Sequence, residues 1–513
     1  MNKNHLIKGT VILTVTGLIT RLLGFFYRIC LSNALTAEQL GIYQLIFPVY
    51  GICFTIYASG IQTAISQMTA AEAARDGAGH PKHILKAGIS LSLGAALLLS
   101  ALVWRFHGFI ADKLLLEPEC SESLKLLSCV FPFCGITACI NGYFYGKKRA
   151  AVPALSQLFE QIIRIGSVFA LASIFGGGSL SVTCELAVTG LVIGEAASCL
   201  FNLISLLLSG RHMRASSASD SRTAAQTGGC YRRRLLGFSV PLTVNRLLIN
   251  VLHSLEAVMI PGLLRRYGLS SANALAIYGV LNGMVLPFLM FPGTITNSLS
   301  VLLLPEISEA QAADKKESIQ SAVSLSLKYS LIVGIFSACV FLVFGNTLGN
   351  TVFGNETAGS FLKAAAWLCP MMYLATTLGS IINGLGKVHI TFLNSVIGQT
   401  LRIGILFLLI PRFGISGYFI GMLTSQLIIT LLDYCYVLRS TGFLFDIPNS
   451  LLKPAAAALF TCPLFFRLYE FFVQAHPSLK TLLLPGCCIL LCVVYLLLLV
   501  ITKAIKKEEI IRS

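Results

Sequence analysis

Charge is scarce in this chain: Asp, Glu, Lys and Arg together make 12% of its 513 residues, where a water-soluble globular domain carries roughly 25%. A soluble fold of this length could not cover its surface with so few polar groups, which excludes a soluble enzyme or binding module. No polar stretch is long enough for a nucleotide-binding domain, and no glycine-rich phosphate loop opens a soluble helix. ATP hydrolysis on this chain is therefore excluded, leaving an ion gradient, the membrane potential or a substrate gradient as the source of any work. Histidines number 8; His80, His83, His107 and His476 fall in loops and only His253 lies clearly within an apolar run. The 16 cysteines sit mostly in apolar runs (Cys53, Cys134, Cys139, Cys487, Cys488, Cys492) without metal spacing, and read as small buried hydrophobes. The chain is expected to be no enzyme and to hold no metal or cofactor.

Apolar sequence is what abounds, at 55% hydrophobic residues. Runs of about 20 apolar residues can cross a hydrocarbon core about 30 Å thick. About fourteen such runs follow one another, centred near Thr20, Cys53, Ala95, Cys134, Ile165, Leu191, Asn250, Leu289, Ile335, Met372, Ile403, Leu427, Leu459 and Cys492. The first, from Gly9 to Leu35, is too long for a cleavable signal and continues toward the next. The eighth is interrupted by Pro287 and by Pro292-Gly293, which predicts a kink or local unwinding.

The net charge of +16 is distributed as a membrane protein distributes it, not as a nucleic-acid binder does. With the N-terminus inside, the inner segments carry Lys3 and Lys8, then Arg75, Lys82 and Lys86, Lys147-Lys148-Arg149, and the tract Arg211 to Arg234. Lys315, Lys316, Lys387, Arg439, Lys453 and the tail Lys503, Lys506, Lys507 and Arg512 add to them. The outer loops hold far fewer: Arg105, Lys113, Arg265, Arg266, Arg412 and Lys480. This bias places both termini in the cytoplasm. The tract 211–234, rich in Ser, Ala, Thr and Gly, reads as a flexible basic linker lying near anionic lipid.

The sequence on either side of that linker repeats. Gln161-Ile-Ile-Arg164-Ile-Gly166 matches Gln399-Thr-Leu-Arg402-Ile-Gly404, and Thr189-Gly190-Leu-Val-Ile193-Gly194 with Ser198 matches Ser416-Gly417-Tyr-Phe-Ile420-Gly421 with Ser425. Asn141-Gly142 and Gly146-Lys147 return as Asn383-Gly384 and Gly386-Lys387, and Ile42-Tyr43 as Ile277-Tyr278. The expected architecture is all-α: a six-helix lobe over 1–210, the linker 211–234, a second six-helix lobe over 235–440, and two further helices with a tail over 441–513. An even number of spans per unit makes the repeats parallel, with a cleft between lobes that rock to give alternating access.

Ionisable groups inside spans cost roughly 2.5–3.5 kcal/mol each on insertion scales and usually mark a pathway. Arg21, Arg164, Arg246 and Arg402 each lie about twelve residues, hence about 18 Å, from the cytoplasmic end of their span, close to the midplane. They form repeat-related pairs, Arg164 with Arg402 and Arg21 with Arg246. Arg28 lies two turns beyond Arg21 on roughly the same face. Acids at depth are Glu160, Glu195 and Glu256. A net cationic cavity suits an anionic substrate such as a diphosphate, because guanidinium makes bidentate bonds to phosphate oxygens and stays charged at any depth. Gln62, Asn245 and Asn282 are further polar candidates for its wall, although interhelical hydrogen bonding accounts for them more readily. Arg164 and Arg402 also have a purely structural reading, as partners of Glu160 or of helix-terminal carbonyls.

Thr20-Arg21-Leu22-Leu23-Gly24-Phe25-Phe26-Tyr27-Arg28, then Gly41-Ile42-Tyr43-Gln44, Gly60-Ile61-Gln62-Thr63-Ala64-Ile65-Ser66 and, after span eight, Leu304-Pro305-Glu306-Ile307 resemble the stage V sporulation protein B family. That family is part of the multidrug/oligosaccharidyl-lipid/polysaccharide exporter superfamily, with the lipid II and O-antigen flippases. The resemblance implies a V-shaped pair of six-helix lobes, two extra helices beside a lipid-tail groove, and an undecaprenyl-diphosphate-linked sugar as substrate, a peptidoglycan precursor for spore cortex. The chain is expected to act as a monomer in the cell membrane, alongside cell-wall synthesis enzymes. Arg21 matches the first arginine of the Arg-Leu-x-Gly-Phe-x-Arg pattern of lipid II flippases, whereas Arg28 matches the second with one extra residue. The acid that follows in those flippases is absent, since Ile29 and Cys30 stand there. Two alternatives remain at this stage: a multidrug or cation antiporter of the same superfamily, and a non-transporting membrane scaffold for cell-wall enzymes.

Overall fold

The computed structural model describes residues 3–73, 81–175, 182–211 and 224–505. Arg75, His80, half of the expected linker (212–223) and the tail cations Lys506, Lys507 and Arg512 lie outside them. Among the described residues every regular element is a helix. Among the described residues eleven helices are long and apolar enough to cross a membrane, or up to thirteen when two bent pairs are each taken as one span, fewer than the fourteen or so expected. The protein is an all-α polytopic membrane protein.

The first half runs α1 (Lys3–Ala34), α2 (Ala37–Leu45), α3 (Phe47–Phe54), a π turn (Thr55–Ser59) and α4 (Gly60–Ala73). It continues with α5 (Pro81–Phe109), α6 (Cys120–Ser128), α7 (Val130–Gly146), α8 (Ala151–Phe175) and α9 (Cys184–Arg211). The long α10 (Ala224–Arg266) begins inside the segment expected as a flexible linker, so the last part of that tract is helical. Then come α11 (Ser271–Gly279), a π segment (Val280–Val285), α12 (Leu286–Met290), α13 (Gly293–Ala312), α14 (Lys316–Phe353), α15 (Glu356–Ala365) and α16 (Leu368–Gly384). The chain ends with α17 (Val388–Phe413), α18 (Ile415–Thr441), α19 (Lys453–Ala475) and α20 (Lys480–Ile501).

Prolines set the breaks. The ring of a proline clashes with the carbonyl four residues back and its missing N–H removes a bond. Pro132 acts in this way on Ser128, the last residue of α6, and α6 and α7 meet at 42°. Pro370 acts on Ala366, next to the end of α15, and α15 and α16 meet at 56°. Both bends precede the matched Asn-Gly motifs, Asn141-Gly142 and Asn383-Gly384. Span eight is interrupted where its prolines predict: Pro287 reaches back to Gly283 within the π segment, and Pro292 separates α12 from α13.

The chain forms two compact units, one of residues 1–262 with 270–279, the other of 263–269 with 280–513. In the first, Ile65, Leu85, Ile140, Phe144 and Leu235 build a buried core. Its close attachment of α11 depends on glycine: a Cβ on Gly279 would strike the carbonyl of Ala37, and one on Gly41 the carbonyl of Leu275. The core of the second gathers Leu303, Ile307, Leu327, Ile381 and Val437. There α19 and α20 pack on α14, where Tyr495 stacks on Phe336 at 4.6 Å and donates to the Ile332 carbonyl at 3.2 Å.

Candidate functional site: membrane-embedded arginines

Arg21 and Arg28 lie on α1, both with exposed side chains. Seven residues is close to two full turns, so the two guanidiniums share a face about 10 Å apart along the helix. Neither has an ion-pair partner among the described residues. Between them Tyr27 turns inward and is buried, and Gly24 lies over Gln161 of α8, which seats α1 on the first unit.

Arg246 also belongs to the first unit, on α10. The π turn at Thr55–Ser59 breaks the regular helical ladder, and the Ser59 carbonyl there accepts from Nη1 of Arg246 at 2.8 Å and from the Thr63 hydroxyl at 3.2 Å. The Ser59 hydroxyl accepts from the same Nη1 at 2.6 Å. Gly60 makes the approach possible, since a Cβ there would strike Thr243 and lie 2.7 Å from the Ser239 carbonyl. Further along, Asn250 donates to the Thr55 hydroxyl at 2.5 Å, and the Ser254 hydroxyl reaches the Pro48 carbonyl at 3.3 Å. Thr243, Arg246, Asn250 and Ser254 thus form a polar stripe with steps of three, four and four, one face of a helix. That spacing is legible in the sequence, but single arginines draw attention before stripes do.

Arg164 is held inside the first unit. Nη2 of its guanidinium contacts Glu160 one turn back on α8 and Glu195 of α9 at 3.8 Å, all three side chains less than 15% exposed. Arg402, in the second unit, is buried between α17 and α18; its Nε donates to the Ser425 hydroxyl at 2.8 Å and an Nη to the Gln426 amide oxygen at 3.4 Å. The two helix pairs differ in register from the sequence match. Gly190 packs on Val168, but the residue matched to Val168, Leu406, meets Gly421 and not Gly417. In space α18 is displaced by one turn, so that Glu195 and Gln426 take the same place opposite their arginines.

Glu256 is buried and lies 4.0 Å from His253, with Tyr278 of α11 in the same unit. Gln62 is half-buried, its backbone against Gly142 of α7, and Asn245 is exposed beside Arg246 on α10. Asn282 sits in the π segment of the second unit. Arg21, Arg28, Arg246, Gln62, Asn245 and Glu256 are therefore carried by one unit, Arg402 and Asn282 by the other. A buried acid not anticipated from the sequence is Asp433 of α18, which accepts from the Asn394 side chain of α17 at 2.7 Å. Its position in the last turns of a span, near Arg439, reads as solvated in a linear sequence.

Residues 6–311 match the sequence profile of the family described as polysaccharide biosynthesis protein. The chain belongs to that family. Among curated relatives of this polysaccharide biosynthesis protein, stage V sporulation protein B of Bacillus subtilis (strain 168) is 27% identical over 439 residues, 84% of this chain and 83% of that protein. The structure of lipid II flippase MurJ in an inward closed conformation superposes with a TM-score of 0.71 at 14% identity, covering 95% of this chain and 98% of that one. An inward-facing multidrug resistance transporter of the MATE family, in the MOP superfamily, gives 0.65 at 14% identity over 85% and 98%. The two structures show that the chain shares the fold of these transporters, and the names of its relatives are those of carriers and a sporulation protein, not of catalysts.

Proposed function

We propose that the protein flips an undecaprenyl-diphosphate-linked saccharide, a peptidoglycan precursor for spore cortex, across the cytoplasmic membrane by alternating access, with both termini inside. The observation that carries this reading is the pair Arg21 and Arg28, exposed on one face of α1, the helix expected from the sequence to be the first span. Exposed guanidinium at that depth is tolerable only where water or an anion solvates it, and a diphosphate offers paired oxygens in the geometry a guanidinium binds. Arg246, held in place by the Ser59 carbonyl and hydroxyl, supplies a third cation on the same unit, with Gln62 and Asn245 as neutral neighbours. In this reading Arg164 and Arg402 brace helix pairs. A cation antiporter needs carboxylates free to take up its ion, yet Glu160 and Glu195 are both engaged by Arg164. The lobes are proposed as 1–210 and 235–440, with 441–513 beside the lipid tail, the protein working as a monomer alongside cell-wall synthesis enzymes.

A binding series tests the charge argument. Polyprenyl diphosphate should bind the purified protein about tenfold or more tightly than the monophosphate, at roughly 1.4 kcal/mol per tenfold step, and the polyprenyl alcohol more weakly still. Equal affinities for all three, or preferential binding of a lipophilic cation, would overturn it.

A further inference from the structure

A second cationic feature lies away from these arginines, in a cavity of about 190 Å³ between α5, α7 and α9 of the first unit. Its rim carries Lys82 and Lys86 from the first two turns of α5, and Lys147 and Arg149 from the end of α7. Leu85, Ile89 and Phe144 form an apolar floor continuous with the core of the unit, and Leu206 closes the side from the last turns of α9. Among the described residues no acidic one lines it. The ammonium of Lys147 lies 4.6 Å above the ring of Tyr143, which fixes one cation toward the cavity.

Three facts select the ligand. The three helices end here, and all belong to spans or to a bent span, so the cavity sits at the depth of lipid headgroups. Four cations over a greasy floor match an amphiphile that bears phosphate above and hydrocarbon below. The volume is below the roughly 300–1,000 Å³ of pockets that enclose whole drug-sized ligands, too small for a saccharide head. We propose that this cavity binds one anionic glycerophospholipid, its phosphate held by the Lys82, Lys86, Lys147 and Arg149 cluster and the start of an acyl chain laid over Leu85 and Phe144. The site is independent of the flippase reading, since it uses none of the arginines within the spans.

Delipidated protein in detergent, titrated with phosphatidylglycerol and followed by native mass spectrometry, tests this. Each juxtamembrane cation is worth roughly fivefold in affinity, so Lys82→Gln with Lys86→Gln, both at exposed positions, should weaken binding of the first lipid on the order of 20-fold. Adding Lys147→Gln and Arg149→Gln should bring it on the order of several hundred-fold down. Phosphatidylcholine should bind the wild type no better than the fourfold variant does phosphatidylglycerol. A Lys113→Gln, Lys480→Gln control, which removes the same charge elsewhere, should bind as wild type. Unchanged affinity in the double variant, or equal loss in the control, would overturn the site. Displacement of the lipid by inorganic phosphate would make it a phosphate-ion site and overturn the lipid assignment.

Discussion

Replacing Arg21 by Ala is expected to lower the flipping rate of a polyprenyl-diphosphate-linked saccharide by at least about 100-fold, while leaving membrane insertion and folding intact. The magnitude follows from losing one bidentate pair of charge-assisted bonds, each worth about 1.5–3 kcal/mol, at about 1.4 kcal/mol per factor of ten. Folding should survive because Arg21 is exposed on α1 and has no ion-pair partner among the described residues. Arg21→Lys should recover part of the rate, since an ammonium keeps the charge but lacks the planar fork. Rates are to be compared in vesicles holding equal amounts of inserted protein; wild-type transport by Arg21→Ala would show that this arginine has no part in handling substrate.

Arg164→Ala is expected to do the opposite, disabling the fold before the function. Its guanidinium is shared by Glu160 and Glu195, all three largely buried, and removing one member of a buried charge cluster costs about 3–5 kcal/mol because it leaves uncompensated charge behind. That is a large part of a typical domain stability of about 5–15 kcal/mol. Little folded protein should be recovered, and its thermal unfolding should fall well below that of the wild type. Combining Arg164→Met with Glu160→Gln and Glu195→Gln should restore most of the loss, since the neutralised cluster can pack and hydrogen-bond without a net charge. Full stability of the single variant would place the compensating charge elsewhere.

Most of the spans and the break at Pro287 and Pro292-Gly293 were legible because they are local: hydropathy and proline act within a few residues. The matched Gln-x-x-Arg motifs were legible for the same reason. What sequence could not supply was register between helices. The match of Gly190 and Gly194 with Gly417 and Gly421 is sound as a string, yet packing shifts α18 by one turn, because Leu406 is met by Gly421. The roles of the arginines separated only when partners were known: Arg164 and Arg402 are drawn into their own helix pairs, whereas Arg21, Arg28 and Arg246 keep exposed side chains. The seat of Arg246 depends on a π turn and on Gly60 meeting α10 far along the chain. The cavity of Lys82, Lys86, Lys147 and Arg149 needs the tertiary meeting of three helix ends.

Transport itself is the most direct test. Proteoliposomes containing the purified protein as the only protein, with fluorescent undecaprenyl-diphosphate-linked saccharide placed in one leaflet, should move the label to the other leaflet far faster than protein-free vesicles. Rates no different from those of protein-free vesicles, both with and without an imposed membrane potential, would contradict the flippase assignment.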